Sequence, residues 1–189
     1  MTIARKLAIL VLFALFGMGV MTAWFLVSER KLILEERQTG VRQVVEVAHG
    51  IAVHFHTLST KGAMPDEEAR QRAAAAMQAL RYSGNEYIWI NDMHPRMVMH
   101  PVRPELNGQD LSANKDPNGL PLFMEFVRIV KTQGAGFVPY MWPKAGSDIP
   151  VEKTSYVKGF EPWGWVIGSG VYIDTVNAAI WKRAMGFGA

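Results

Sequence analysis

The chain opens on an uninterrupted apolar run. Residues 7 to 27, LAILVLFALFGMGVMTAWFLV, carry no charge and one polar side chain, Thr22. About 20 apolar residues at ~1.5 Å rise each cover a hydrocarbon core of ~30 Å, so the run predicts a transmembrane helix. A cleaved signal peptide would have an apolar region of only ~7–15 residues and a small-residue cleavage site, to which Met21-Thr22-Ala23 is a poor match. Arg5 and Lys6 precede the run, which favours a cytoplasmic N-terminus and an exported remainder.

At Ser28 the pattern turns polar, with no Pro or Gly until Gly40, so the helix is expected to continue as a stalk. Val41, Val44, Val45, Ala48, Ile51, Ala52 and Phe55 follow the i, i+3, i+4, i+7 spacing of one buried helical face. Gly40 and Gly50 each cost about 1 kcal/mol relative to Ala and mark where a kink would fall. The stalk should end near Thr60-Lys61-Gly62. A second helix is predicted from Pro65, with Asp66, Glu67 and Glu68 at the positive end of its dipole. Its run RQRAAAAMQALR should stop before Ser83-Gly84-Asn85 and pack its alanines on a neighbouring helix.

Strand signals follow. Tyr87–Asn91 and Arg96–His100 flank the polar knot Asn91-Asp92-Met93-His94-Pro95 and predict a β-hairpin. Asn107-Gly108, Asp116-Pro117 and Asn118-Gly119 mark a long turn-rich loop. Leu122–Lys131 reads as a short amphipathic helix. Gly136–Trp142, Glu152–Phe160 and Trp163–Ile173 read as three strands, and Asp174 to Arg183 as a last helix. This order predicts an α+β fold: a transmembrane and stalk helix, then a PAS-like five-stranded antiparallel sheet flanked by helices.

Composition removes several kinds of chemistry. There is no cysteine, so disulfides, thiolate metal sites and thioether-bound haem are excluded. The net charge of +3 falls near neutrality once Arg5 and Lys6 are set aside, and the remaining basic residues are scattered among acids. That argues against a nucleic-acid partner. His49, His54 and His56 lie on the stalk, but no two are spaced i, i+4, and HExxH does not occur. Neither a G-x-S-x-G elbow nor a GxxxxGK[ST] loop is present. No metal, cofactor or catalysis is expected.

The residues YIWINDMHPRMVMHP, ELNGQDLS, DPNG, GAGFVPYMWPK and KTSYVKGFEPWGWVIGSGVYID, in this order, resemble the single-Cache family of extracytoplasmic sensor domains. The resemblance covers about residues 30 to 180. It implies a periplasmic ligand-binding domain of a bacterial inner-membrane chemoreceptor or sensor kinase, working as a homodimer and sensing small organic acids of two to four carbons. The chain would then comprise a cytoplasmic N-terminus (1–6), a transmembrane helix (7–27), a stalk helix (28–62), the sensor domain (63–174) and a C-terminal helix (175–189). Two arrangements stay open. In one, a second transmembrane helix and a cytoplasmic signalling module follow. In the other, a stand-alone anchored protein acts through a separate partner.

A carboxylate in a water-poor pocket needs a cation or several aligned donors to offset its desolvation. The strands supply His100, Lys153, Tyr140, Tyr156 and the indoles of Trp89 and Trp142, while Met97 and Met99 could form an apolar floor. His100 leads into the loop of residues 101–121, where a ligand could sit against the sheet. Lys153 has a competing role as a solvated partner of Glu152. In a regular strand Lys153 and Tyr156 face opposite sides, so at most one of them would touch a ligand. His94 and Arg96 read as turn residues. Trp163-Gly164-Trp165 and Gly168-Ser169-Gly170 read as close packing of the last strand beneath a helix.

Overall fold

Helix α1 (Ile3–Thr60) passes through Gly40 and Gly50 without a break in the helix. The computed structural model describes residues 2–174, and the helix expected beyond Asp174 lies outside them. The chain divides into two compact units: Arg37–Thr175 forms the larger, and Met1–Glu36 belongs to the other. In the smaller unit the apolar run reaches a mean hydropathy of 2.3 over an 18-residue window, with its large side chains exposed. By length and composition it can cross a membrane.

In the larger unit the stalk face predicted from spacing is the one that is covered. Val41, Val45, Ala48 and Ala52 are buried, with Val44, Ile51 and Phe55 half-buried beside them. Helix α2 (Asp66–Gln78) follows and buries Ala69, Ala73 and Met77 along one line. It packs against β1. The strands are β1 (Ile88–Asp92), β2 (Met97–Met99), β3 (Ala135–Pro143), β4 (Pro150–Phe160) and β5 (Trp165–Tyr172), with helix α3 (Leu122–Gln133) between β2 and β3. They form one antiparallel sheet in the order β2-β1-β5-β4-β3.

The two faces of this sheet have different coverings. Arg42 lies over the ring of Tyr156, Glu46 pairs with Lys158, and the rings of His49 and His56 meet Phe160 edge-on. These contacts place the stalk on the face carrying Tyr156, Lys158 and Phe160. The opposite face packs on α3, which buries Leu122, Phe123, Phe126, Val127, Ile129 and Val130.

The β1–β2 turn is held by Asp92, whose carboxylate accepts the backbone N–H groups of His94 and Arg96, each at 2.8 Å. Both of those side chains are exposed. Trp163 closes a different joint: its indole donates to Asp66 at 2.9 Å and its ring lies under Arg70, tying α2 to the end of β4.

Candidate ligand-binding site

Directly paired residues of an antiparallel sheet point to the same face. Lys153 of β4 pairs with Tyr140 of β3 and with Tyr172 of β5, so these side chains stand together on the α3 face. Trp142 lies two residues beyond Tyr140, and Trp89 pairs with Gly168 at the other side of the sheet. Tyr87 precedes Trp89 by two.

The glycines of Gly168-Ser169-Gly170 make room for this group. A Cβ on Gly168 would collide with the indole of Trp89, and one on Gly170 would meet Ser155 and lie 2.9 Å from Lys153 Cε. The triplet therefore accommodates side chains from its own sheet, not a helix resting on it.

Lys153 is 1% exposed. Its ammonium donates to Tyr87 Oη at 3.2 Å and Tyr172 Oη at 3.4 Å. It also lies over three aromatic rings, 4.3 Å from the centre of Tyr87, 4.5 Å from Tyr172 and 5.8 Å from Trp89. Tyr172 Oη donates onward to the carbonyl of Pro143 at 2.9 Å, which leaves it an acceptor toward the lysine. No carboxylate among the described residues forms an ion pair with Lys153. Glu152 is exposed on the other face, so the pairing weighed from sequence does not form. Ring faces and phenol oxygens solvate the cation without neutralising it.

His100 is buried at the edge of the same space, its ring 4.9 Å from that of Tyr87. Its Nδ1 accepts the backbone N–H of Val102 at 3.3 Å and of Arg103 at 3.0 Å. A nitrogen that accepts carries no proton, so the neutral ring bears its proton on Nε2. Burial, aided by the charges of Lys153 and Arg103, lowers the histidine pKa to about 3. His100 is thus a neutral donor, not a cation. Arg103 lies over the ring of Trp142 at 5.8 Å and reaches the exposed carboxylate of Asp148 at 3.2 Å.

A small cavity of ≈ 10 Å³ lies between sheet and helix. Tyr87, Trp89, Tyr140 and Trp142 line it from the strands, His100 from the end of β2, and Leu122, Phe123 and Phe126 from α3. That is room for about one water. The loop of residues 101–121 does not line it. A wider, open groove of ≈ 400 Å³ runs where Asp116, Asn118 and Leu120 of that loop meet Pro139, Tyr140, Met141, Glu152, Lys153 and Thr154, so Lys153 borders this groove while Tyr140 borders both spaces. Asp116 accepts three backbone N–H groups there, from Asn118, Leu120 and Met141.

The structure therefore gathers His100, Trp89, Tyr140 and Trp142 around the small cavity, with Lys153 behind its Tyr87 and Trp89 wall. The polar tips of two of them are already engaged: the Trp89 indole donates to Asn91 at 3.2 Å, and Tyr140 Oη shares a hydrogen bond with Ser155 at 2.9 Å. Three other residues singled out in the sequence lie elsewhere. Tyr156 stacks on Phe137 and beneath Arg42 on the stalk side. Met97 joins the core beneath Trp89 without reaching the cavity. Met99 pairs with Ile90 and does not line the cavity either. Tyr87, Tyr172, Arg103 and the α3 phenylalanines were not singled out. Only Tyr87 had a visible signal, its period-two spacing from Trp89.

The sequence profile described as Cache domain matches residues 21–186. The methyl-accepting chemotaxis protein McpP of Pseudomonas putida is 42% identical over 178 residues, covering 94% of this chain and 33% of the relative. The chain thus spans about a third of that protein's length. A solved periplasmic sensor domain of a chemotaxis protein superposes with a TM-score of 0.73 at 55% identity, covering 74% of this chain and 96% of its own. A Cache chemosensory domain solved for its carboxylic acid recognition gives 0.72 at 48% identity, covering 75% and 97%.

Proposed function

Because this chain belongs to the Cache family of sensor domains, we propose that it is the extracytoplasmic ligand-sensing part of a bacterial signal-transduction receptor and binds a small carboxylate at Lys153. The observation that carries this reading is the ammonium of Lys153, buried among aromatic rings, hydrogen-bonded to phenol oxygens and in direct ion pair with no carboxylate among the described residues. Burying a cation without a counter-ion costs free energy that packing alone does not return. An anion arriving at the site supplies the missing charge. A carboxylate accepts from the ammonium and from His100 Nε2–H, while the rings of Trp89, Phe123 and Phe126 receive its carbon end.

The cavity holds about one water, so the ligand is small and enters with a movement of the lining. Half-buried Trp142, at the end of β3, is the lining residue with most freedom to give way. The carboxylic acid recognition described for the 48% identical domain supports the same ligand class. The apolar run in α1 anchors the domain in the inner membrane, and a homodimer joined through the stalks passes the signal to a cytoplasmic module or partner protein. Ligand biases such an equilibrium only through different affinity for its two states. The domain acts by binding, not catalysis.

The test is a thermal-shift panel on the detergent-solubilised chain with sodium salts of two- to four-carbon acids and their amides. The reading expects stabilisation by at least one acid, none by its amide, and loss of the effect in Lys153→Met. No stabilisation by any acid from pH 6 to 8 would overturn it.

A further inference from the structure

We propose that Phe126 of α3, backed by Trp89 against Gly168, is the stop that sets how long an acid the site accepts. This rests on the carboxylate reading above. The donors of the site all come from the strands and the end of β2: Lys153, Tyr87 and His100. The helix side offers carbon alone. Trp89 adds to that carbon surface, because its single polar atom is committed to Asn91.

Phe126 is the hub of this wall. It is fully buried, and its ring contacts those of Trp89 at 5.4 Å, Tyr140 at 5.2 Å and Phe123 at 5.5 Å. Trp89 cannot retreat toward β5, and α3 lies close on the sheet. Trp89 already rests where any side chain on residue 168 would be, and α3 is pressed so close that a Cβ on Gly159 would strike Val130. Extra chain length must displace one of these close-packed rings, which is how such a wall discriminates by size.

The experiment is calorimetric titration of the chain with straight-chain acids from acetate to hexanoate, in wild type, Phe126→Leu, Phe126→Ala and Gly168→Ala. Wild type is expected to favour the short acids and to lose affinity beyond three or four carbons. Shortening Phe126 should move the preference to longer acids, with about a fourfold gain for each methylene newly accommodated. Gly168→Ala should push Trp89 into the cavity and weaken every acid. If wild type binds short acids but Phe126→Leu keeps the same order of preference while remaining folded by circular dichroism, the stop is not Phe126. If wild type binds no acid at all, the carboxylate reading falls and the size filter with it. Phe126→Leu keeps the test open should the alanine variant fail to fold.

Discussion

The ammonium of Lys153 lies 3.2 Å from the hydroxyl of Tyr87 and 4.3 Å from the centre of the same ring, so one tyrosine solvates the cation by both its edge and its face. The arrangement holds a charge in place without cancelling it. Function and stability should therefore pull in opposite directions at this position.

Lys153→Met tests that opposition. Replacing buried charge by packed apolar atoms is often neutral or stabilising by about 1–4 kcal/mol. The freed Tyr172 hydroxyl keeps its bond to the Pro143 carbonyl. The variant should melt no lower than wild type while losing acid binding. A clear drop in melting temperature would show the lysine to be a structural member of the core.

His100 gives the larger unit a pH dependence. Its folded pKa of about 3 lies below the ordinary histidine value of 6.5, so between those values the unfolded chain binds more protons. Stability is full above pH 6.5 and falls as pH drops toward 3. Between pH 6.5 and 5 the loss is about 2 kcal/mol. In urea denaturation series, His100→Gln should flatten the slope across that window.

Glu86 should act with the opposite sign. One of its carboxylate oxygens is buried without a hydrogen-bond partner. Burial raises its pKa, with Asp174 adding to the shift and Lys153, Lys144 and Arg37 opposing it. The folded chain thus holds this proton to higher pH than the unfolded chain does, and stability is lost as pH rises above the ordinary glutamate range. Glu86→Gln should raise the melting temperature at pH 7.5, and the gain should fade as pH falls toward 4. An equal gain at both pH values would contradict the ionisation argument.

Asp116 pins the long loop. Its carboxylate accepts three backbone N–H groups, including that of Met141 at 3.0 Å on β3. Asp116→Ala leaves those donors without their charged partner and should cost about 3 kcal/mol. Hydrogen exchange should speed up across residues 116–121 and at Met141, and not in β1.

Much of the fold was legible because its periodicities are long. The stalk face from Val41 to Ala52 and the amphipathic α3 each repeat over enough residues to declare their type, and the polar knot around Asp92 declared the hairpin. Strand parity also separated Lys153 from Tyr156. It did not say which of them shares a face with α3, because that depends on which side the helix covers. Met97 and Met99 defeated the reading for a local reason: the register shifts between Ile90 and Asn91, and simple alternation fails there. Nor could spacing reveal that the His100 ring serves the backbone of Val102 and Arg103, or that Phe123 and Phe126 close the cavity from a helix more than 20 residues away. Such contacts belong to tertiary packing.

The most direct test of the account is calorimetric titration of acetate, propionate and their amides into wild type and Lys153→Met at pH 7. The account predicts saturable binding of an acid to wild type, no binding of the matching amide, and loss of the acid signal in a folded Lys153→Met. Equal binding of acid by the two proteins would contradict it.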